Sequence, residues 1–267
     1  MYPVLFHLGR FQIHPYGLLL AISFLVGILW AVKRAERRNL DKNQVMDLSL
    51  IILICSILGS RIFYVVTHLE EFRGHWIDTF NPFQSSGEIG IAGLSMLGGV
   101  LLSLAAIIVY SSAKKLSLLR FCDVVAPSFT LGLALTRIGC FLNGCCFGKP
   151  CRLPWGMVFP PDSPAGSTLP GLKLHPTQLY SSLFDWVLLG VLLVLDRKKR
   201  FDGFIFSIFF IGYGLFRFGI DFVRYYESSV QVRVLGIALT FNQIISLSMA
   251  VVGLLVLSIL GRHRRNK

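Results

Sequence analysis

The 267-residue sequence predicts an all-α integral membrane protein with about seven transmembrane helices and an irregular outer-face head region. Three observations predict it. Hydrophobic residues make up 54% of the chain and charged residues 15%, with a mean hydropathy of +0.66. Soluble domains carry about a quarter charged residues, so this composition argues against an ordinary soluble enzyme and against disorder. Seven apolar stretches can each cross a hydrocarbon core of about 30 Å, which takes roughly 20 helical residues. Basic residues gather between alternate stretches. The whole chain, 1–267, reads as a single polytopic membrane domain.

Span one covers Tyr16–Val32. The segment ahead of it has a single basic residue, Arg10, and no apolar core of its own, so span one is expected to remain as a signal-anchor. Span two covers Asp47–Thr67 and span three Ile89–Ala113. Around span three stand Gly87, Gly90, Gly93, Gly98 and Gly99. Small residues let helices approach closely, which is their commoner purpose; lining a lipid-sized groove is the other reading. Span four covers Val124–Asn143, with Gly139, Gly144 and Gly148 around its end. The one long polar connection, roughly 144–177, follows and is rich in Pro and Gly. Loops of that length are usually functional or disordered. Spans five, six and seven cover Gln178–Leu195, Gly203–Val223 and Asn242–Leu260.

Charge sets the orientation. Of the 26 Lys and Arg, 16 fall in the loops after spans one, three and five and in the C-terminal tail, seven fall on the opposite side, and three lie inside spans. Basic loops stay cytoplasmic, so the N-terminus is expected outside and the C-terminus inside. The net charge of +12 is therefore a topology signal, and no nucleic-acid partner is expected.

The in-span charges carry the functional signal. Arg61, Arg137 and Arg217 lie in spans two, four and six, 13 or 14 residues from the basic ends. At about 1.5 Å per residue each stands about 20 Å up, in one layer in the outer half of the bilayer. An ionisable residue at such depth is costly and marks a functional site by default. Arg217, Asp221 and Arg224 share one helix face at i, i+4 and i+7, so Asp221 can hold Arg217 while Arg224 reaches the interface. Asp185 enters the same layer from span five. Packing ion pairs between spans are the plainer reading, but guanidinium groups outnumber carboxylates here. The surplus points to an anionic guest, and at this depth the obvious anion is a phospholipid phosphate, which Arg recognises with two parallel donors.

Four of the six cysteines, Cys140, Cys145, Cys146 and Cys151, bunch at the end of span four. Disulfides or inert thiols are the first reading in an oxidising compartment. A thiol-redox site is the second. Zinc is the third, since no CxxC and no nearby His completes a familiar ligand spacing. No metal and no cofactor is expected.

Several segments together resemble the bacterial phosphatidylglycerol–prolipoprotein diacylglyceryl transferase family. They are His14-Pro15-Tyr16-Gly17, Gly59-Ser60-Arg61-Ile62, Leu97-Gly98-Gly99, Arg137-Ile138-Gly139-Cys140-Phe141-Leu142-Asn143-Gly144-Cys145-Cys146-Phe147-Gly148, His175-Pro176-Thr177-Gln178-Leu179-Tyr180 and Gly212-Tyr213-Gly214-Leu215-Phe216-Arg217. They cover nearly the whole chain, in order. The resemblance implies transfer of a diacylglyceryl group from phosphatidylglycerol to the lipobox cysteine of a preprolipoprotein. The products are a thioether and glycerol phosphate, formed at the outer face of a bacterial plasma membrane. It implies Arg137 as the phosphatidylglycerol-binding arginine and Arg217 as a second essential one. Tyr16 and Asp221 complete the catalytic set, and Asp221 stands where the family often has Glu. Arg61, Asn143, Gly148, Gly98, Gly99 and His175 join Arg137 in substrate binding. The partners implied are phosphatidylglycerol, preprolipoproteins and membrane lipid.

Three positions depart from the family pattern. Leu97 stands where His is common, Cys140 where Asn is common, and Cys145 where Glu follows the Asn-Gly pair. The proton acceptor stays open among Asp221, His175, His14 and the leaving phosphate. Cys145→Ser is expected to leave transfer intact. Two other readings are kept: a non-catalytic phospholipid- or lipoprotein-binding paralogue, motivated by Leu97, and a membrane thiol oxidoreductase using Cys145 and Cys146.

Overall fold

The seven apolar stretches reappear, in order, as helices in a computed structural model that describes residues 6–8, 11–13, 15–72, 95–198, 200–226, 231–234 and 237–265. Strands β1 (Phe6–Leu8) and β2 (Phe11–Ile13) form a small antiparallel hairpin before α1 (Pro15–Glu36). Then come α2 (Lys42–Thr67), the single turn α3 (Leu69–Phe72), α4 (Met96–Ala113) and α5 (Leu118–Asn143). The short α6 (Pro164–Thr168) lies in the long connection before α7 (Thr177–Asp196) and α8 (Phe204–Ile220). A second antiparallel hairpin, β3 (Gln231–Val234) and β4 (Ile237–Thr240), leads into α9 (Phe241–Arg265). Among the described residues, five helices are long and apolar enough to cross a membrane: α1, α2, α5, α7 and α9. α4 and α8 contribute two shorter apolar helices, Leu97–Ala113 and Phe204–Ile220. The start of span three, with Gly87, Gly90 and Gly93, lies outside the described residues, as does His14.

The helices outrun the apolar stretches at their basic ends. α1 continues through Lys33 and Arg34 to Glu36, and α2 begins at Lys42, capped by the Asp41 carboxylate accepting from the Asn43 N–H at 2.8 Å. Polar residues are compatible with helix once the chain leaves hydrocarbon, so an apolar boundary underestimates the helix.

The chain divides into two compact units, 1–31 with 122–267, and 32–121. In the first, α1 and α5 run antiparallel along a seam of small residues. A Cβ on Gly27 would meet the Ser128 carbonyl at 3.5 Å, and one on Gly139 would meet Tyr16 Cα at 3.3 Å. Ser182 of α7 donates to the Ala134 carbonyl of α5 at 3.0 Å. The buried Asp123 of α5 caps α8, accepting from the Gly203 and Phe206 N–H groups at 2.8 and 2.9 Å. A carboxylate there answers the positive end of the helix dipole. Gly214 lets α8 close on α9, since a Cβ there would stand 2.6 Å from the Ser246 carbonyl.

The second unit is built on α2 and α4. A Cβ on Gly98 would collide with the Gly59 carbonyl and with Phe63, and one on Gly99 with the Ser60 hydroxyl. Both glycines therefore serve close packing here. Arg61 is 2% exposed, with its guanidinium 5.1 Å from the centre of the Phe72 ring.

The 144–177 connection is ordered by pairing. Gly148 bridges to Arg224, and Leu174 bridges to both Pro150 and Met157. Phe147, Phe159, Ala165 and Leu174 form a small core beneath it.

Candidate active site

The site is assembled where α5 ends. Gly144, at φ +72°, turns the chain back on the helix, and the Cys145 N–H donates to the Cys140 carbonyl at 3.1 Å. The next two carbonyls are held by the start of α7. Gln178 donates to the Cys145 carbonyl at 2.7 Å and Thr177 to the Cys146 carbonyl at 2.8 Å. Gly148 then passes against His175, where a Cβ would stand 2.5 Å from the His175 Cβ. The close approach allows the Gly148 N–H to donate to the His175 carbonyl at 3.0 Å. The His175 ring faces the Tyr180 hydroxyl at 3.4 Å, and that hydroxyl accepts from Trp155 at 2.8 Å.

Arg137 rises from α5 about two turns before this bend. Its guanidinium lies beside the Tyr213 hydroxyl and within electrostatic reach of the Cys140 and Cys146 thiols. Among the described residues it makes no ion pair with a carboxylate. Tyr16, at the start of α1, lies within electrostatic reach of Arg137 and of Cys140, Cys145 and Cys146. Asn143, the last residue of α5, lies by the Cys145 thiol, which donates to the Cys140 carbonyl at 3.7 Å.

Arg217 stands one turn beyond Tyr213, the neighbour of Arg137, on α8. Arg217 is committed, in contrast to Arg137. Its Nη1 donates to Asp221 Oδ1 at 2.5 Å and its Nη2 to the Tyr226 hydroxyl at 2.9 Å. Tyr226 donates in turn to Asp221 Oδ1 at 2.9 Å, and Thr240 donates to Oδ2 at 2.9 Å. Asn242 donates to Tyr226 at 3.1 Å. Every oxygen of the buried Asp221 is thus occupied. Arg224 lies over the Tyr226 ring at 5.3 Å and acts electrostatically on Cys146. Asp185, 1% exposed in α7, lies within electrostatic reach of Arg137, and its Oδ1 has no hydrogen-bond partner among the described residues.

The cysteines are free thiols. Cys146 is held below the ordinary thiol range, first by hydrogen bonds from Cys140 and Cys145 and then by the charges of Arg224 and Arg137.

The family model described as prolipoprotein diacylglyceryl transferase matches residues 3–259. The chain belongs to that family. Relatives named phosphatidylglycerol–prolipoprotein diacylglyceryl transferase resemble it over most of its length. The Clostridium tetani protein is 33% identical over 224 residues, covering 84% of this chain and 86% of the relative. The Photobacterium profundum protein is 34% identical over 258 residues, covering 96% and 91%. The Aliivibrio salmonicida protein is 34% identical, covering 96% of this chain and 86% of its own.

Within this diacylglyceryl transferase family member, the structure brings Tyr16, Arg137, Asn143, Gly148, His175, Arg217 and Asp221 into the first unit, at the end of α5 and the facing ends of α7 and α8. Arg61, Gly98 and Gly99 belong to the second unit. The sequence reading missed Tyr213, Tyr226 and Thr240. Tyr213 carries a usable signal, the i, i+4 spacing to Arg217. Tyr226 and Thr240 carry none, because a turn and a hairpin bring them back to Asp221.

Proposed function

We propose that this chain transfers the diacylglyceryl group of phosphatidylglycerol to the lipobox cysteine thiol of preprolipoproteins. One observation carries the reading: a family member has an arginine, Arg137, that bonds Tyr213, has Tyr16 in electrostatic reach, and makes no ion pair with a carboxylate among the described residues. In this reading the Arg137 fork receives the lipid phosphate. The acceptor thiolate attacks the glycerol carbon that bears that phosphate. The carbon–sulfur bond forms, the carbon–oxygen bond breaks, and glycerol phosphate leaves with the electron pair. Arg137 and Arg217 meet the charge that builds on the leaving group, usually the largest catalytic contribution. Asp221 and Tyr226 hold Arg217 in position.

The finer topology belongs to the same proposal. The seven apolar helices span a bacterial plasma membrane with the N-terminus outside. This is supported by the 16 basic residues on one side of the spans against seven on the other. The end of α5 and the 144–177 head then face outward, where preprolipoproteins present their lipobox.

The test is one transfer assay. The purified chain in phosphatidylglycerol vesicles is given a lipobox peptide, and the peptide mass is followed. A diacylglyceryl mass gain, lost in Arg137→Ala, is expected. No gain beside an active family member would favour the non-catalytic paralogue, the reading that Leu97 in place of a common His motivates.

A further inference from the structure

Three thiols of this site have no role in the clamp described above. The Sγ atoms of Cys140, Cys145 and Cys146 all lie within 4.8 Å of one another. The backbone builds that convergence. Cys146 has φ +61°, a conformation uncommon for any residue but glycine. Thr177 and Gln178, 2% and 1% exposed, lock the Cys146 and Cys145 carbonyls from α7. Three sulfurs around one ion, each bonded at about 2.3 Å, stand about 4 Å apart, so little closure is needed. A disulfide needs about 2 Å and would leave the third thiol unpaired.

Charge fits the same occupant. Three thiolates around a divalent ion leave one net negative charge. The guanidinium groups of Arg137 and Arg224 both act on Cys146, and neither is tied to a carboxylate among the described residues. Thiolates select soft ions, and a site with three protein ligands leaves the fourth position for water or substrate. The reaction proposed above needs a thiolate nucleophile. Both oxygens of Asp221 are engaged by Arg217, Tyr226 and Thr240, and the Nδ1 of His175 faces Tyr180, so a metal offers a direct route to that thiolate.

We propose that Cys140, Cys145 and Cys146 hold a thiophilic divalent ion of the zinc class, and that its open position binds the acceptor cysteine as a thiolate. This deepens, and rests on, the transferase reading. The acceptor S–H gives its proton to water as the sulfur–metal bond forms, because a coordinating thiol is deprotonated outright. That sulfur then attacks the glycerol carbon, and glycerol phosphate leaves. The neutral thioether product is a weak ligand and departs. The assignment reverses the expectation that these thiols are inert or paired, and that Cys145→Ser is harmless. The C-x4-C-C spacing matches no familiar metal pattern; only the turn at Gly144 closes it.

The experiment uses the full chain, purified in detergent, stripped of metal and titrated with Cd2+. Thiolate-to-metal absorption and bound metal are read together. One equivalent is expected in the native protein and in Cys55→Ser, with the band lost in Cys140→Ser, Cys145→Ser and Cys146→Ser. A lipobox peptide should raise the band by about one third, as three thiolates become four, and the peptide with serine in place of cysteine should not. Absence of a stoichiometric band in the native protein overturns the site whether or not any variant folds. A band that the cysteine peptide leaves unchanged overturns the open position. Transfer in phosphatidylglycerol vesicles is measured alongside, with a loss of at least about 100-fold expected in Cys145→Ser. Full transfer by the metal-free protein overturns the metal proposal and leaves the transferase reading standing. Metal and peptide binding with no transfer by the zinc-loaded protein overturns the transferase reading instead.

Discussion

Replacing Asp221 by Asn separates two tasks a carboxylate at this position can have: taking a proton, or holding Arg217. The side chain is fully buried, against 15% exposure for Arg217. Asn keeps the shape, and its amide can turn the NH2 toward Thr240, leaving the oxygen to accept from Arg217 and Tyr226. Only the charge is lost. Breaking a buried ion pair by removing one partner costs about 3–5 kcal/mol. At about 1.4 kcal/mol per factor of ten, that is roughly 100- to 4,000-fold. Arg217 keeps some solvent contact, so the low end applies and a loss of about 100-fold in transfer is expected. The assay is the initial rate of peptide mass gain in phosphatidylglycerol vesicles for the native chain, Asp221→Asn, Arg217→Ala and the double variant. The unfolding midpoint of each is followed. If Asp221 acts through Arg217, the double variant is as slow as Arg217→Ala within about threefold, because residues acting as a unit do not add. Asp221→Glu keeps the charge and should recover most of the rate. A native rate in Asp221→Asn, or losses that multiply in the double variant, would refute the reasoning.

Three further outcomes are expected. Arg137→Ala should lower transfer by at least about 100-fold, and Arg137→Lys should not restore it, since an ammonium lacks the planar two-pronged donor set; a fast Lys variant in the same vesicle assay would remove the clamp. Gly148→Ala should lower stability by about 1–3 kcal/mol, because its Cβ meets His175 with nowhere to go; an unchanged unfolding midpoint would show that the His175 backbone yields freely. In a cysteine-free background, a membrane-impermeant maleimide applied to intact cells should label a cysteine at Arg152 and spare one at Lys115; the reverse pattern would invert the topology.

The fold was legible where one helix carries its own signal. Apolar length located α1, α2, α5, α7, α8 and α9 within a few residues, because burial in lipid needs the same composition on every face. What it misplaced were the ends. α1 continues to Glu36 and α5 begins at Leu118, since helix persists after the apolar run stops. α8 ends at Ile220, three residues short of the apolar stretch, because residues 221–223 turn to carry Arg224 toward Gly148. The expected pairing of Arg217 with Asp221 is found, as i, i+4 spacing reports on one helix face.

The rest of the site depends on what spacing along a helix cannot express. Arg137 meets Tyr213 across two helices, and Asp221 meets Thr240 across a hairpin. The three thiols converge through two positive-φ residues in a turn. These long-range contacts sort the arginines. Arg217 and Arg137 stand at matched places in the sequence pattern, yet one is neutralised by Asp221 and the other has no carboxylate partner among the described residues. A neutralised guanidinium can orient and shape a pocket. One without a direct ion pair, with Asp185 in electrostatic reach, keeps donors to offer an anion. On that ground, in the proposed function, Arg137 receives the lipid phosphate, and Arg217, held by Asp221 and Tyr226, sets the geometry in which the phosphate departs.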